Sequence, residues 1–216
     1  MGFRPVRAAN PRTTKNGIGV SASCTDGQTA AERIVRLSIT RAAQERFFGR
    51  AIDAAADRFA MDSYTDGDGE EIPSAFDSRN GLLALTWTPD DVTSLSLSYE
   101  ANRTKDALYA GAGMDSPYSD NDAVRLKYRR GDGDGALGKM AADVYWSEVE
   151  HLMDNYSLRE WTAPMAMRAP STSDSSGGRF WIDLHLQEKL DLTVGIDIAR
   201  NTREALRFAG ASPDNV

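Results

Sequence analysis

Lys139 to Arg159 reads KMAADVYWSEVEHLMDNYSLR, and this stretch decides the fold. Met140, Ala142, Val144 and Trp146 occupy even positions, while Asp143, Tyr145, Ser147, His151 and Met153 occupy odd ones. Side chains of a β-strand alternate between two faces, so one face here is apolar and the other polar. The stretch therefore opens as a strand and ends in a polar loop. At the junction stands His151-Leu-Met153. Residues two apart on a strand point the same way, about 7 Å from each other. Imidazole suits several transition metals including copper, and thioether sulfur is a soft donor that suits Cu(I). His151 and Met153 are thus a candidate metal pair on the polar face.

The same period of two recurs on both sides of this stretch. Leu83, Leu85 and Trp87 alternate with Ala84 and Thr86; Leu95, Leu97 and Tyr99 alternate with Ser94, Ser96 and Ser98. Val124, Leu126 and Tyr128 alternate with Arg125, Lys127 and Arg129. Further on, Phe180, Ile182, Leu184 and Leu186 alternate with Trp181, Asp183, His185 and Gln187. Leu190, Leu192, Val194, Ile196 and Ile198 close the series, and Ala51 to Tyr64 alternates more loosely. The connections alternate too: short at 89–91, long at 103–120, medium at 131–138, long at 160–178 and short at 188–189. Strands of about nine to eleven residues, with short turns at one end and long loops at the other, are the pattern of a membrane β-barrel. The expected fold is all-β: an antiparallel up-and-down meander forming part of an outer-membrane β-barrel wall. Its apolar side chains face lipid and its polar ones face the lumen. A soluble β-sandwich or adhesin-like binding module also alternates and is the competing reading.

The N-terminal part has a different grammar. The first 50 residues carry nine Lys/Arg against three Asp/Glu, and the remainder carries 16 against 29, within a net charge of −7. Thr29-Ala-Ala-Glu32 has the form of a capping box. Ile34, Val35, Leu37 and Ile39 follow at rough helical spacing, so a helix over about 30–48 is expected. The arginines of that helix read as a solvated face, and no nucleic-acid partner is expected. The chain divides into residues 1–48, an unassigned basic segment, helical or disordered, and residues 49–216, a partial barrel. No segment has the order of a secretory signal, and no apolar run has the length of a membrane helix. The single cysteine, Cys24, excludes an internal disulfide and a Cys-rich zinc site.

Two further motifs carry chemistry on paper. Asp66-Gly-Asp-Gly-Glu-Glu71 resembles the opening of a calcium loop, but its glycine is misplaced for an EF-hand, and it reads as a turn. Met165 and Met167 form a second methionine pair within the loop expected over 160–178. A pair of methionines in a loop without other apolar residues is unusual for packing, which makes both candidate metal ligands. No Walker loop, G-x-S-x-G elbow, paired zinc histidines or dinucleotide glycine fingerprint is present, and no enzyme activity is expected.

Several runs resemble the barrel of TonB-dependent copper receptors, the outer-membrane copper transporters of Gram-negative bacteria. They are Tyr64-Thr-Asp-Gly-Asp-Gly69, Trp87-Thr-Pro-Asp90, Tyr109-Ala-Gly-Ala-Gly-Met-Asp115 and Val149-Glu-His-Leu-Met-Asp-Asn-Tyr-Ser-Leu-Arg159. Their order and spacing match over about residues 50–208, and His151 to Tyr156 is the most specific piece. The resemblance implies a barrel of 22 strands filled by an N-terminal plug and energised through TonB. It also implies a copper site made of a wall His-x-Met pair and a plug Cys-x-x-x-Met pair. The wall pair falls on His151 and Met153, and the Met-rich loop of the family falls on Met165 and Met167. Cys24 opens Cys-Thr-Asp-Gly-Gln28, so the plug motif is not there, and residues 1–45 do not resemble the family. The expectation is an interior wall fragment that binds copper, probed as Cu(I), and does not transport it alone.

Overall fold

The computed structural model describes residues 17–27, 30–42, 49–131, 136–187 and 190–216. The turns expected at 132–135 and 188–189 lie outside them, as do Thr29 of the capping box and residues 43–48 of the expected helix.

Twelve strands follow one another. They are β1 (Gly17–Gly27), β2 (Ala30–Ala42), β3 (Gly49–Met61), β4 (Tyr64–Thr65), β5 (Glu71–Ile72) and β6 (Phe76–Thr88). Then come β7 (Thr93–Ala107), β8 (Asp115–Arg130), β9 (Leu137–Asp154), β10 (Ala166–Gln187), β11 (Leu190–Ala205) and β12 (Phe208–Gly210). One sheet runs β1-β2-β3-β6-β7-β8-β9-β10-β11, and β12 joins it by pairing with β10. Each strand pairs antiparallel with its sequence neighbours, apart from the small β4–β5 hairpin inserted between β3 and β6 and from β12, which pairs with β10. This is the expected up-and-down meander of a β-barrel wall. Among the described residues β1 and β11 are its two edges.

The two faces differ as the alternation requires. Register carries Ile52, Leu85, Leu97, Leu126 and Val144 across five strands in one continuous row. All five are exposed, as are Trp87, Trp146, Ile196 and Ile198. Only Ala107, Ala141, Leu152 and Ala166 are buried apolar residues among those described. A fully buried aliphatic side chain is stabilised by about 1.5–3 kcal/mol, and this sheet withholds that from a whole face in water. On β11 the apolar series Leu190 to Ile198 covers about 26 Å of strand, close to the height of a barrel's lipid-facing band. Trp87 and Tyr128 end the apolar series of their strands at the short-turn side, and Tyr99, Trp146 and Phe180 do so at the long-loop side. Aromatic rings at both boundaries are the girdles of such walls.

The β-sandwich alternative is overturned. A sandwich buries its apolar face against a second sheet, and among the described residues the only other sheet is β4–β5. The helix expected over 30–48 is also overturned, because residues 30–42 are strand β2, paired with β1 on one side and β3 on the other. Ile34, Val35, Ile39 and Thr40 are β-branched, and Val35, Leu37 and Ile39 alternate by two. That period lies hidden under the rough helical spacing. The sheet also runs through the division placed at residues 48–49, since β2 pairs with β3 along its length.

The strands exceed expectation in length. β8 has 16 residues, β9 has 18 and β10 has 22, so the loop expected over 160–178 shrinks to the residues between β9 and β10. The added parts, such as Ser171-Thr-Ser-Asp-Ser-Ser176, are polar on both faces and give no alternation to read. The acidic motif at Asp66 is a turn, as expected. The Asp66 carboxylate accepts the amides of Asp68 and Glu70, both at 2.9 Å, and Gly69 takes a φ of +86° that favours glycine. At the short turn after β6, hydrogen bonds from Thr93 and from the Val92 amide hold the Asp90 carboxyl below the usual carboxylate range.

Candidate metal centre

The polar face is indented by pockets. Its pockets include one of 410 Å³ among Arg125, Lys127, Arg129, Tyr145 and Arg179, and one of 280 Å³ beside Asp57, Asn80 and Asn102. Charge and amide pairs cross it from strand to strand. Arg129 pairs with Asp143 at 2.7 Å, and the Asn102 amide donates to Asn80, whose own amide donates to Asp57. A hydrogen-bonded polar face opposite an exposed apolar one is the pattern of a barrel wall, whose polar side faces the lumen.

His151 and Met153 lie on this face near the long-loop end of β9, with Ser147 and Val149 before them. Both are half-buried. Cross-strand register sets His151 in a row of hydroxyls, with Ser119 on β8 and Ser171 on β10 beside it. Among the described residues the imidazole makes no hydrogen bond or ion pair, so both ring nitrogens are available to a ligand. Met153 pairs with Ala169 of β10, and the ladder to β8 is irregular between Asp115 and Tyr118, opposite Met153.

Met167 is a strand residue and not a loop residue, which corrects the expectation for it. It is the second residue of β10, and its carbonyl accepts the Asn155 amide at 3.3 Å. Met167 and Ala169 share a face by the period of two, and Ala169 is the partner of Met153. Met153 and Met167 are therefore diagonal neighbours on adjacent strands, at about 7–8 Å by the usual spacing. Met165 precedes β10 and is exposed, with its carbonyl turned to Asn155 like that of Met167. The structure thus brings His151, Met153 and Met167 to one end of one face, with Met165 at the bend that leads into β10.

The turn that joins them is held by residues the motif search passed over. Asp154, 1% exposed, accepts the amides of Tyr156 at 3.2 Å and Ser157 at 2.9 Å, and also the Ser157 hydroxyl. Asp115, 2% exposed, accepts both Nε and Nη2 of Arg159 and the Tyr109 amide at 3.0 Å. Arg159 Nη2 also donates to the Ala112 carbonyl at 3.0 Å, tying the loop after β9 to the loop after β7. The signal in the sequence was Asp154-Asn155 immediately after a strand, where a short polar side chain can replace backbone partners.

Among the described residues no group of three or more His, Cys, Asp or Glu is placed to hold a metal ion. One imidazole and three thioethers form a soft donor set, and such donors favour Cu(I) over calcium, magnesium or manganese.

No protein-family model and no curated protein matches the chain. Among solved structures it is similar to copper transporter OprC, with a TM-score of 0.76 and 27% identity over 91% of this chain. The chain spans 30% of the length of that transporter. The fold is that of a stretch of a copper transporter's β-barrel wall.

Proposed function

We propose that the chain is a wall segment of a TonB-dependent outer-membrane barrel that takes up copper. In this reading His151, Met153, Met165 and Met167 receive the ion as Cu(I) on the lumen face. The observation that carries it is a placement: the imidazole of His151 and the thioethers of Met153 and Met167 share one end of the polar face, with Met165 beside them in the chain, in a wall similar to that of a copper transporter. Copper is the cargo, lipid covers the apolar face, and TonB energises release in the complete assembly. The edges β1 and β11 expose unpaired backbone groups, each costing several kcal/mol in lipid, so transport needs further strands to close the wall.

The test is anaerobic titration of Cu(I) into the full chain in detergent micelles, in competition with a coloured Cu(I) chelator. The wild-type chain is expected to draw about one ion from the chelator. A His151→Ala/Met153→Ala variant is expected to bind at least about tenfold more weakly, as for lost ligands. Absence of binding, or equal binding by the variant, would overturn the proposal.

A further inference from the structure

We infer that Asn155 is a positioning residue that joins the His151/Met153 pair and the Met165/Met167 pair into one ligand field; this rests on the copper reading above. β9 ends at Asp154, whose carboxylate turns the main chain away by taking the Tyr156 and Ser157 amides. An ordinary antiparallel ladder would lose its next rung there. The Asn155 side chain supplies it instead. Its Oδ1 accepts the Met167 amide at 2.8 Å and its Nδ2 donates to the Met165 carbonyl at 2.9 Å, while its own backbone N–H donates to the Met167 carbonyl at 3.3 Å.

A carboxamide has the same donor and acceptor as a peptide group, so it can stand in for one more strand residue. The consequence falls on the methionines. Three bonds from one residue tie 165–167 to the end of β9, so Met167 keeps the face of Met153 and Met165 is fixed at the bend just before it. Without them Met165 loses its tie to β9, and Met167 is held only by its pairing with Ala209 of β12. Asn155 touches no ion and acts through the backbone of its ligands.

The chemistry of the amide makes the test selective. Asn155→Ala removes both side-chain bonds; Asn155→Asp keeps an acceptor for Met167 but cannot donate to Met165 when ionised. Cu(I) affinity is measured by chelator competition on the full chain for wild type, both variants, Met165→Ala/Met167→Ala, and that double variant with Asn155→Ala added. Circular dichroism confirms that each variant folds.

Asn155→Ala is expected to weaken binding about tenfold, the usual effect of losing an orienting partner, and Asn155→Asp less. In the background lacking both methionines, Asn155→Ala is expected to change nothing further, the mark of coupled residues. Hydrogen exchange read without metal is expected to be faster at the Met167 amide in Asn155→Ala and unchanged at Val149. Wild-type affinity in Asn155→Ala, or the same loss with and without the methionines, would overturn the inference while leaving the copper reading standing. Should the wild-type chain bind no Cu(I), the copper reading fails, and the positioning role given to Asn155 fails with it.

Discussion

At the scale of single residues, the candidate site depends on carboxylates that never meet the ion. Asp115 is almost wholly buried and receives a guanidinium and a backbone amide. Hydrogen bonds to charged groups contribute about 1.5–3 kcal/mol, and a buried donor left without its partner costs a comparable amount. Asp115→Ala is therefore expected to destabilise the chain by about 2–3 kcal/mol in urea unfolding, with faster hydrogen exchange at Ser157. Asp115→Asn, which still accepts one hydrogen bond, is expected to lose less. Equal stability of Asp115→Ala and the wild type would show that Arg159 does not anchor the loop. His151 itself must be neutral to ligate, so Cu(I) binding is expected to fall in acid as the imidazole takes up a proton.

At the scale of elements, β9 and β10 are matched by one close approach. A Cβ on Gly177 would sit 2.5 Å from the Ile198 carbonyl oxygen and 2.7 Å from the Tyr145 hydroxyl, so Tyr145 lies over a residue that must lack a side chain. Gly81, on β6, has nothing within 4 Å of such an atom. Gly177→Val is expected to cost about 1–3 kcal/mol through overpacking, and Gly81→Val to be neutral or slightly stabilising through strand propensity. Thermal unfolding of the two variants side by side checks this, and equal effects would contradict the packing described. The strands themselves were legible where lipid imposes alternation, as from Met140 to Trp146. They were illegible in the polar upper part of β10, where both faces meet water and any order of Ser, Thr and Asp is tolerated. For the same reason Met167 read as a loop residue. β2 was misread because Ile34 adds an apolar residue off the period of two, which helical spacing then absorbs. His151 and Met153 could be singled out because two such donors at strand spacing are rare on a polar face. Asn155 could not, since its role exists only once β10 is alongside.

At the scale of the whole molecule, the sheet has almost no core of its own, and its stability comes from what covers each face. Val144, 56% exposed, stands in the apolar row of one face, and Ser147 stands three residues on, on the polar face. In the proposed function these faces meet different surroundings, lipid outside and a copper-bearing lumen inside. The most direct measurement is urea unfolding of Val144→Arg and Ser147→Arg from lipid vesicles. Arginine at the middle of a lipid-facing band costs about 2–4 kcal/mol, so Val144→Arg is expected to lose that much while Ser147→Arg stays within about 1 kcal/mol of the wild type. Equal losses at the two positions, or a larger loss for Ser147→Arg, would contradict a membrane wall with its ligands in the lumen.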